Sequence, residues 1–161
     1  MSQIDLESRL DRMESIHEVN QLVARYALAA DKRNSAKLMA PLFEVGIVWE
    51  ATGFGLYRGK PAVLEHLALI GAEQIVWSQH YMIAPVITLD MDREVGTCQW
   101  YLWELAQVVE DGRNSPAWIC GWYDSKVVRA AGQWLFQHVV LDVRLLHRTA
   151  DIWSPSVSAP S

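Results

Sequence analysis

Four long segments in the second half of the chain, residues 78–89, 95–109, 117–129 and 133–147, are rich in Trp, Tyr and Val and are parted only by turn signals. The breaks are Asp90-Met91-Asp92, then Asp111-Gly112-Arg113-Asn114-Ser115-Pro116, then Ala130-Ala131-Gly132. Such a succession predicts consecutive antiparallel strands. Strands this long and apolar need helices on one face and a second cover on the other.

The helices come earlier. From residue 5 to 31, apolar side chains recur every three or four positions, from Leu6 and Leu10 through Leu22 and Val23 to Ala30, which predicts one long amphipathic helix. A short helical piece over 35–42 follows, with Asn34 as its expected N-cap. Residues 47–59 read as a hairpin turning at Thr52-Gly53-Phe54-Gly55, and Lys60-Pro61 opens a third helix that runs to about Ile70. Helices first and an antiparallel meander afterwards make the class α+β. One domain over residues 1–150 is expected, and the Ser- and Pro-rich end, 151–161, is expected to be disordered.

The glycines at 53, 55 and 59 superficially suggest a dinucleotide fingerprint. The last gap is three residues rather than two and no βαβ unit surrounds it, so the reading is a turn.

Composition excludes several classes of function. A net charge of −5 and the absence of any basic run longer than Lys32-Arg33 supply no field for a phosphate backbone, so nucleic acid is not an expected partner. No apolar run approaches the roughly 20 residues of a membrane span, and the charged start MSQIDLESRL does not read as a signal peptide, so a cytoplasmic protein with no membrane partner is expected. Cys98 and Cys120 lie inside strand-like segments, and the five histidines show no HxxxH or HxH spacing. No metal site and no cofactor is expected. Eight tryptophans suggest an aromatic cavity, a subunit interface or both, although they would equally fill a core.

Several local patterns, in this order and spacing, carry a family resemblance. They are Arg25-Tyr26 with Asp31 at the end of the first helix, Gly59-Lys60-Pro61-Ala62 before the third, and His80 at the head of the first long strand. Gly121-Trp122-Tyr123-Asp124, Val128-Arg129 and Gly132-Gln133-Trp134-Leu135-Phe136 complete the set. Over about residues 8–148 the chain resembles the NTF2-like superfamily, in particular its SnoaL-like branch, and is similar to scytalone dehydratase, bile acid dehydratase and lindane dehydrochlorinase. The resemblance implies a cone, with three N-terminal helices packed on a strongly curved, mostly antiparallel sheet, around a pocket with an apolar floor.

For function it implies a cofactor-independent lyase acting by dehydratase-like elimination on a small, mostly apolar, cyclic molecule. Asp31 and His80 stand where those lineages pair a carboxylate with a histidine. A carboxylate bonded to one ring nitrogen fixes the tautomer and raises the basicity of the other, which would make His80 a general base. Tyr26 either joins the pocket or continues the apolar stripe of the first helix. Arg144 either faces the pocket, as in those lineages, or pairs with Asp142 or Glu104 elsewhere. Trp49, Tyr57, Tyr101 and Tyr123 are candidate wall residues. A double-bond isomerase, a polyketide cyclase and a non-catalytic binding module are the alternatives on the same fold. A homo-oligomer, dimer or trimer, is expected because the outer face of such a sheet needs a cover.

Overall fold

The computed structural model describes residues 3–92 and 94–149. The Ser- and Pro-rich end, 151–161, lies outside the described residues. Helix α1 spans Gln3–Asp31 and α2 only Ala36–Met39, followed by a 3₁₀ turn, Ala40–Leu42. Strands β1 (Phe43–Ala51) and β2 (Gly55–Arg58) form a hairpin, and helix α3 (Lys60–Leu69) runs into a π turn, Ile70–Gln74. The meander follows as β3 (Ile75–Asp90), β4 (Val95–Glu110), β5 (Arg113–Ala130) and β6 (Gln133–Arg148).

The six strands make one curved open sheet in the order β2-β1-β6-β5-β4-β3. β1 and β6 run parallel, and every other pair is antiparallel. Of the three helices only α1 is long, so the helical layer is essentially one rod lying in the curve of the sheet.

Three local expectations change. Ser35, not Asn34, is the N-cap of α2, because Arg33 and Asn34 both adopt left-handed backbone (φ 59° and 53°) as the chain leaves α1. Asparagine tolerates that conformation better than most residues. The piece expected over 35–42 tightens to 3₁₀ where Pro41, lacking an N–H, cannot continue an α-helical ladder. The β4–β5 connection is also shorter than its polar composition suggests. Asp111 and Gly112 (φ 49° and 75°) turn the chain in two residues, and Arg113 to Pro116 pair within the sheet.

Alternation builds the core. Cys98, Trp100, Leu102, Ala106 and Val108 of β4 are buried, as are Ala117, Ile119, Tyr123 and Val127 of β5. Val19, Leu22, Val23, Tyr26, Ala29 and Ala30 of α1 pack against them. Glu104 occupies the same inward register of β4 and is 3% exposed. Among the described residues, no helix is long and apolar enough to cross a membrane.

Candidate active site

Asp31 ends α1 and His80 lies in β3, on the same face as Ser78 and Met82. The Nδ1 of His80 is 2.7 Å from Oδ1 of Asp31, and the backbone N–H of His80 donates to that same oxygen at 2.9 Å. The two bonds to one carboxylate oxygen hold both the ring and its main chain. With Nδ1–H donating to Asp31, Nε2 is the free acceptor, and it points into the space between α1 and the sheet.

There it meets Glu104. His80 and Glu104 are directly opposite in the β3–β4 ladder, and Nε2 lies 3.4 Å from Oε2. A bulge sets this pairing. On the turn side Val86 faces Gln99, and beyond the irregularity at Ala84 (φ 51°) and Pro85 the partner of Ile83 is Tyr101. Continuing the turn-side register would have put Leu105, not Glu104, across from His80. The other oxygen of Glu104, Oε1, is buried without a hydrogen-bond partner among the described residues.

Burial acts on both groups. For His80, desolvation is the largest influence and by itself lowers the pKa. The Glu104 charge, then the hydrogen bond and charge of Asp31, outweigh it, and the net pKa lies above the ordinary histidine value. Glu104 is pushed up, first by desolvation and also by the Asp31 charge, against an opposing pull from His80. The two groups therefore compete for one proton, and either placement of it carries the same total charge.

The cleft beyond them has an empty volume of about 540 Å³ with its open mouth and the solvent in it included. Trp49, Phe54, Ile119 and Leu141 supply apolar wall, and Tyr26, Asn34, Ser78 and Tyr123 supply polar groups. Among the described residues, no lysine or arginine lines the cleft. Tyr26 is 3% exposed, its hydroxyl accepts from Nε1 of Trp49 at 3.0 Å, and its ring meets Tyr123 edge-on. Tyr123 in turn stacks on Trp100, with centroids 4.7 Å apart.

Of the residues the sequence nominates, Tyr26, Trp49, His80 and Tyr123 line this cleft, and Asp31 backs His80 from behind. Three nominations need correction. The Arg144 side chain is 70% exposed and pairs with Asp142 on the outside of the sheet. Leu141 and Val143 of β6 line the cleft, so alternation turns Arg144 to the other face, at a bulge where Gly121 pairs with Val143 but Cys120 with Leu145 and Arg144 has no opposite residue. Tyr101 is 55% exposed on the outer face, against Trp122. Tyr57 stacks on His66 at 3.6 Å, beside the cleft rather than in its wall. Glu104 is the residue sequence reasoning missed. Its signal was present as a carboxylate in phase with Trp100, Leu102, Ala106 and Val108 on a strand otherwise apolar on that face.

The sequence model of the SnoaL-like domain family matches residues 11–140. A sequence search of the curated proteins finds no match. Among solved structures the chain is similar to a type 2 hexachlorocyclohexane dehydrochlorinase, with a TM-score of 0.84 and 20% identity over 92% of this chain and 98% of that one. It is similar to the type 3 enzyme from Novosphingobium barchaimii LL02 at 0.82 and 21%, over 91% and 99%. It is also similar to a candidate scytalone dehydratase from Novosphingobium aromaticivorans DSM 12444 at 0.72 and 15%, over 97% and 99%. At these identities the likeness establishes the fold. Since the family match runs from residue 11 to residue 140 of the 161, this protein belongs to the SnoaL-like domain family of the NTF2-like superfamily.

Proposed function

We propose that the protein is a cofactor-independent lyase that removes a proton and a leaving group from a small, mostly apolar, cyclic molecule. The observation that carries this reading is the His80 ring held between two carboxylates, Asp31 at 2.7 Å and Glu104 at 3.4 Å, at the wall of an aromatic cleft. Asp31 orients the imidazole and keeps the proton on Nδ1, so that Nε2 is the base. Glu104, with its pKa pushed up by burial, holds a proton it can give to a departing oxygen. Loss of water then leaves the pair with the same number of protons as before: His80 has gained one and Glu104 has lost one. Proton transfer from His80 back to Glu104 resets the site. The relatives' fold and the dehydrochlorinase and dehydratase descriptions of similar structures support a lyase of this type.

Glu104 also favours a second reading. A lone buried acid can shuttle a proton between two carbons, as a double-bond isomerase or cyclase requires. Turnover of a panel of cyclic alcohols and cyclic β,γ-enones separates the two. The lyase loses activity in His80→Ala and Asp31→Asn, whereas an isomerase working through Glu104 keeps it in both and loses it in Glu104→Gln. A wild-type protein inert toward every member of the panel, binding them without turnover, would instead mark a ligand-binding module.

A further inference from the structure

The lining of the cleft is graded from floor to rim. Tyr26, Trp49 and Tyr123 are buried, whereas Asn34, Phe54, Ile75 and Val143 are half-buried and stand nearer to solvent. Two parts of this rim are held very differently. Asn34 follows Arg33, whose guanidinium donates to the carbonyls of Gly71 and Ala72 at 3.0 and 3.5 Å. Gly71 packs there so closely that a Cβ would stand 2.2 Å from the Arg33 carbonyl oxygen. Contact that close leaves this part of the rim no room to move.

Phe54 is on the tip of the β1–β2 hairpin, between Gly53 and Gly55, which both take positive φ (83° and 93°). Thr52, Gly53, Gly55 and Leu56 around it are exposed. The root of the turn is anchored by Thr52, whose N–H donates to the Leu141 carbonyl at 3.0 Å, and the N–H of Phe54 donates to Ala51 within the hairpin. From outside the hairpin, His66 of α3 hydrogen-bonds the Phe54 backbone. The Nε2 of His66 is buried without a partner among the described residues, so it is Nδ1–H that donates to the Phe54 carbonyl. Burial lowers the His66 pKa by more than this bond raises it, which keeps the ring neutral with its one proton on Nδ1. Tyr57 stacks on the ring at 3.6 Å and Trp49 flanks it at 5.6 Å, so its orientation is fixed.

We propose that Phe54 is the specificity-determining residue at the rim, a gate whose ring limits the width of the molecule admitted, and that His66 is the residue that positions it. With the His66 bond made, the Phe54 ring is part of the cleft wall. With it broken, the two glycines let the tip swing on its Thr52 anchor, because glycine crosses between backbone conformations that other residues resist. The gate requires that the cleft take an apolar molecule and is independent of the reaction carried out on it.

The test measures binding of naphthalene and of the wider phenanthrene by equilibrium dialysis. Phe54→Ala is expected to shift the ratio of the two affinities toward phenanthrene by about tenfold, the discrimination a small change of volume in an apolar pocket gives. Phe54→Trp should shift it the other way, and serves alone if the first variant does not fold. His66→Leu, which removes the N–H, should move the ratio as Phe54→Ala does, and His66→Asn, with an amide N–H near the place of Nδ1, should restore it toward the wild type. A purely structural His66 would instead weaken both ligands alike and leave the ratio unmoved. That result, a ratio indifferent to Phe54, or a wild-type protein that binds neither hydrocarbon overturns the inference. Selectivity that follows Phe54 in a protein that turns over no cyclic alcohol would sink the lyase reading and keep the gate. Elimination from a cyclic alcohol with a ratio unmoved by Phe54→Ala would do the reverse.

Discussion

His80 places its two ring nitrogens against two carboxylates from different elements, Nδ1 at 2.7 Å from Oδ1 of Asp31 in α1 and Nε2 at 3.4 Å from Oε2 of Glu104 in β4. The carboxylates are not equivalent. Asp31 is 25% exposed and makes close hydrogen bonds to both the ring and the backbone N–H of His80. The Glu104 side chain is 4% exposed, and among the described residues no hydrogen bond reaches its Oε1. The first suits an orienting group and the second a proton carrier.

Replacing Asp31 by Asn keeps the shape of the side chain but removes the charge and allows the amide N–H₂ to face the ring, which favours the wrong tautomer. Turnover is expected to fall roughly a hundredfold to ten-thousandfold, the range a general base contributes. The melting temperature should move little, because Asp31 lies at the end of a helix and is a quarter exposed. Steady-state kinetics on any substrate found in the panel, with thermal melts alongside, checks it; an unchanged turnover number would remove Asp31 from the site.

The buried pair makes stability depend on pH. Both His80 and Glu104 have folded pKa values above their ordinary ones, so the folded state holds protons that the unfolded chain has released. The stability this supplies is complete below the ordinary carboxylate pKa, about 4.3, and is lost as pH rises through the folded values, past the ordinary histidine value of about 6.5. Glu104→Gln removes one of these groups and the charge that raises the other. Its melting temperature should therefore fall less steeply than that of the wild type between pH 5 and pH 8. Parallel curves for the two proteins would show that the pair does not share protons as described.

Arg144 offers a direct contest between position in the sequence and position in the fold. Because it is 70% exposed and paired with Asp142, Arg144→Ala is expected to leave turnover within about twofold and stability within about 0.5 kcal/mol. A loss of a hundredfold in turnover would return Arg144 to the cleft.

The outer face of β3 to β5 exposes Tyr81, Ile83, Tyr101, Trp103 and Trp118, with Leu145 of β6 beside them. We propose that a second copy of the chain covers this face, which bears aromatic groups suited to pairing with their like. Sedimentation is expected to give a dimer or trimer, and Trp103→Glu a monomer. A monomeric wild-type protein at micromolar concentration would end this reading.

The order of elements, the turns and the α+β class were legible in the sequence because they rest on short-range chemistry: periodicity in α1, alternation in β3 to β6, and turn residues such as Asp111-Gly112. The same local chemistry placed Asp31 at a helix end and His80 on a strand. What brings them to 2.7 Å is the packing of α1 against β3, a contact between residues 49 apart. Glu104, Arg144 and Tyr101 were decided by register alone. One bulge at Ala84-Pro85 sets Glu104 opposite His80, and Arg144, next to the cleft-lining Val143, turns outward at another. Alternation along a strand tells which residues share a face but not which face is inside once a bulge has shifted the count, because side chains repeat every two residues and an inserted residue exchanges the two faces.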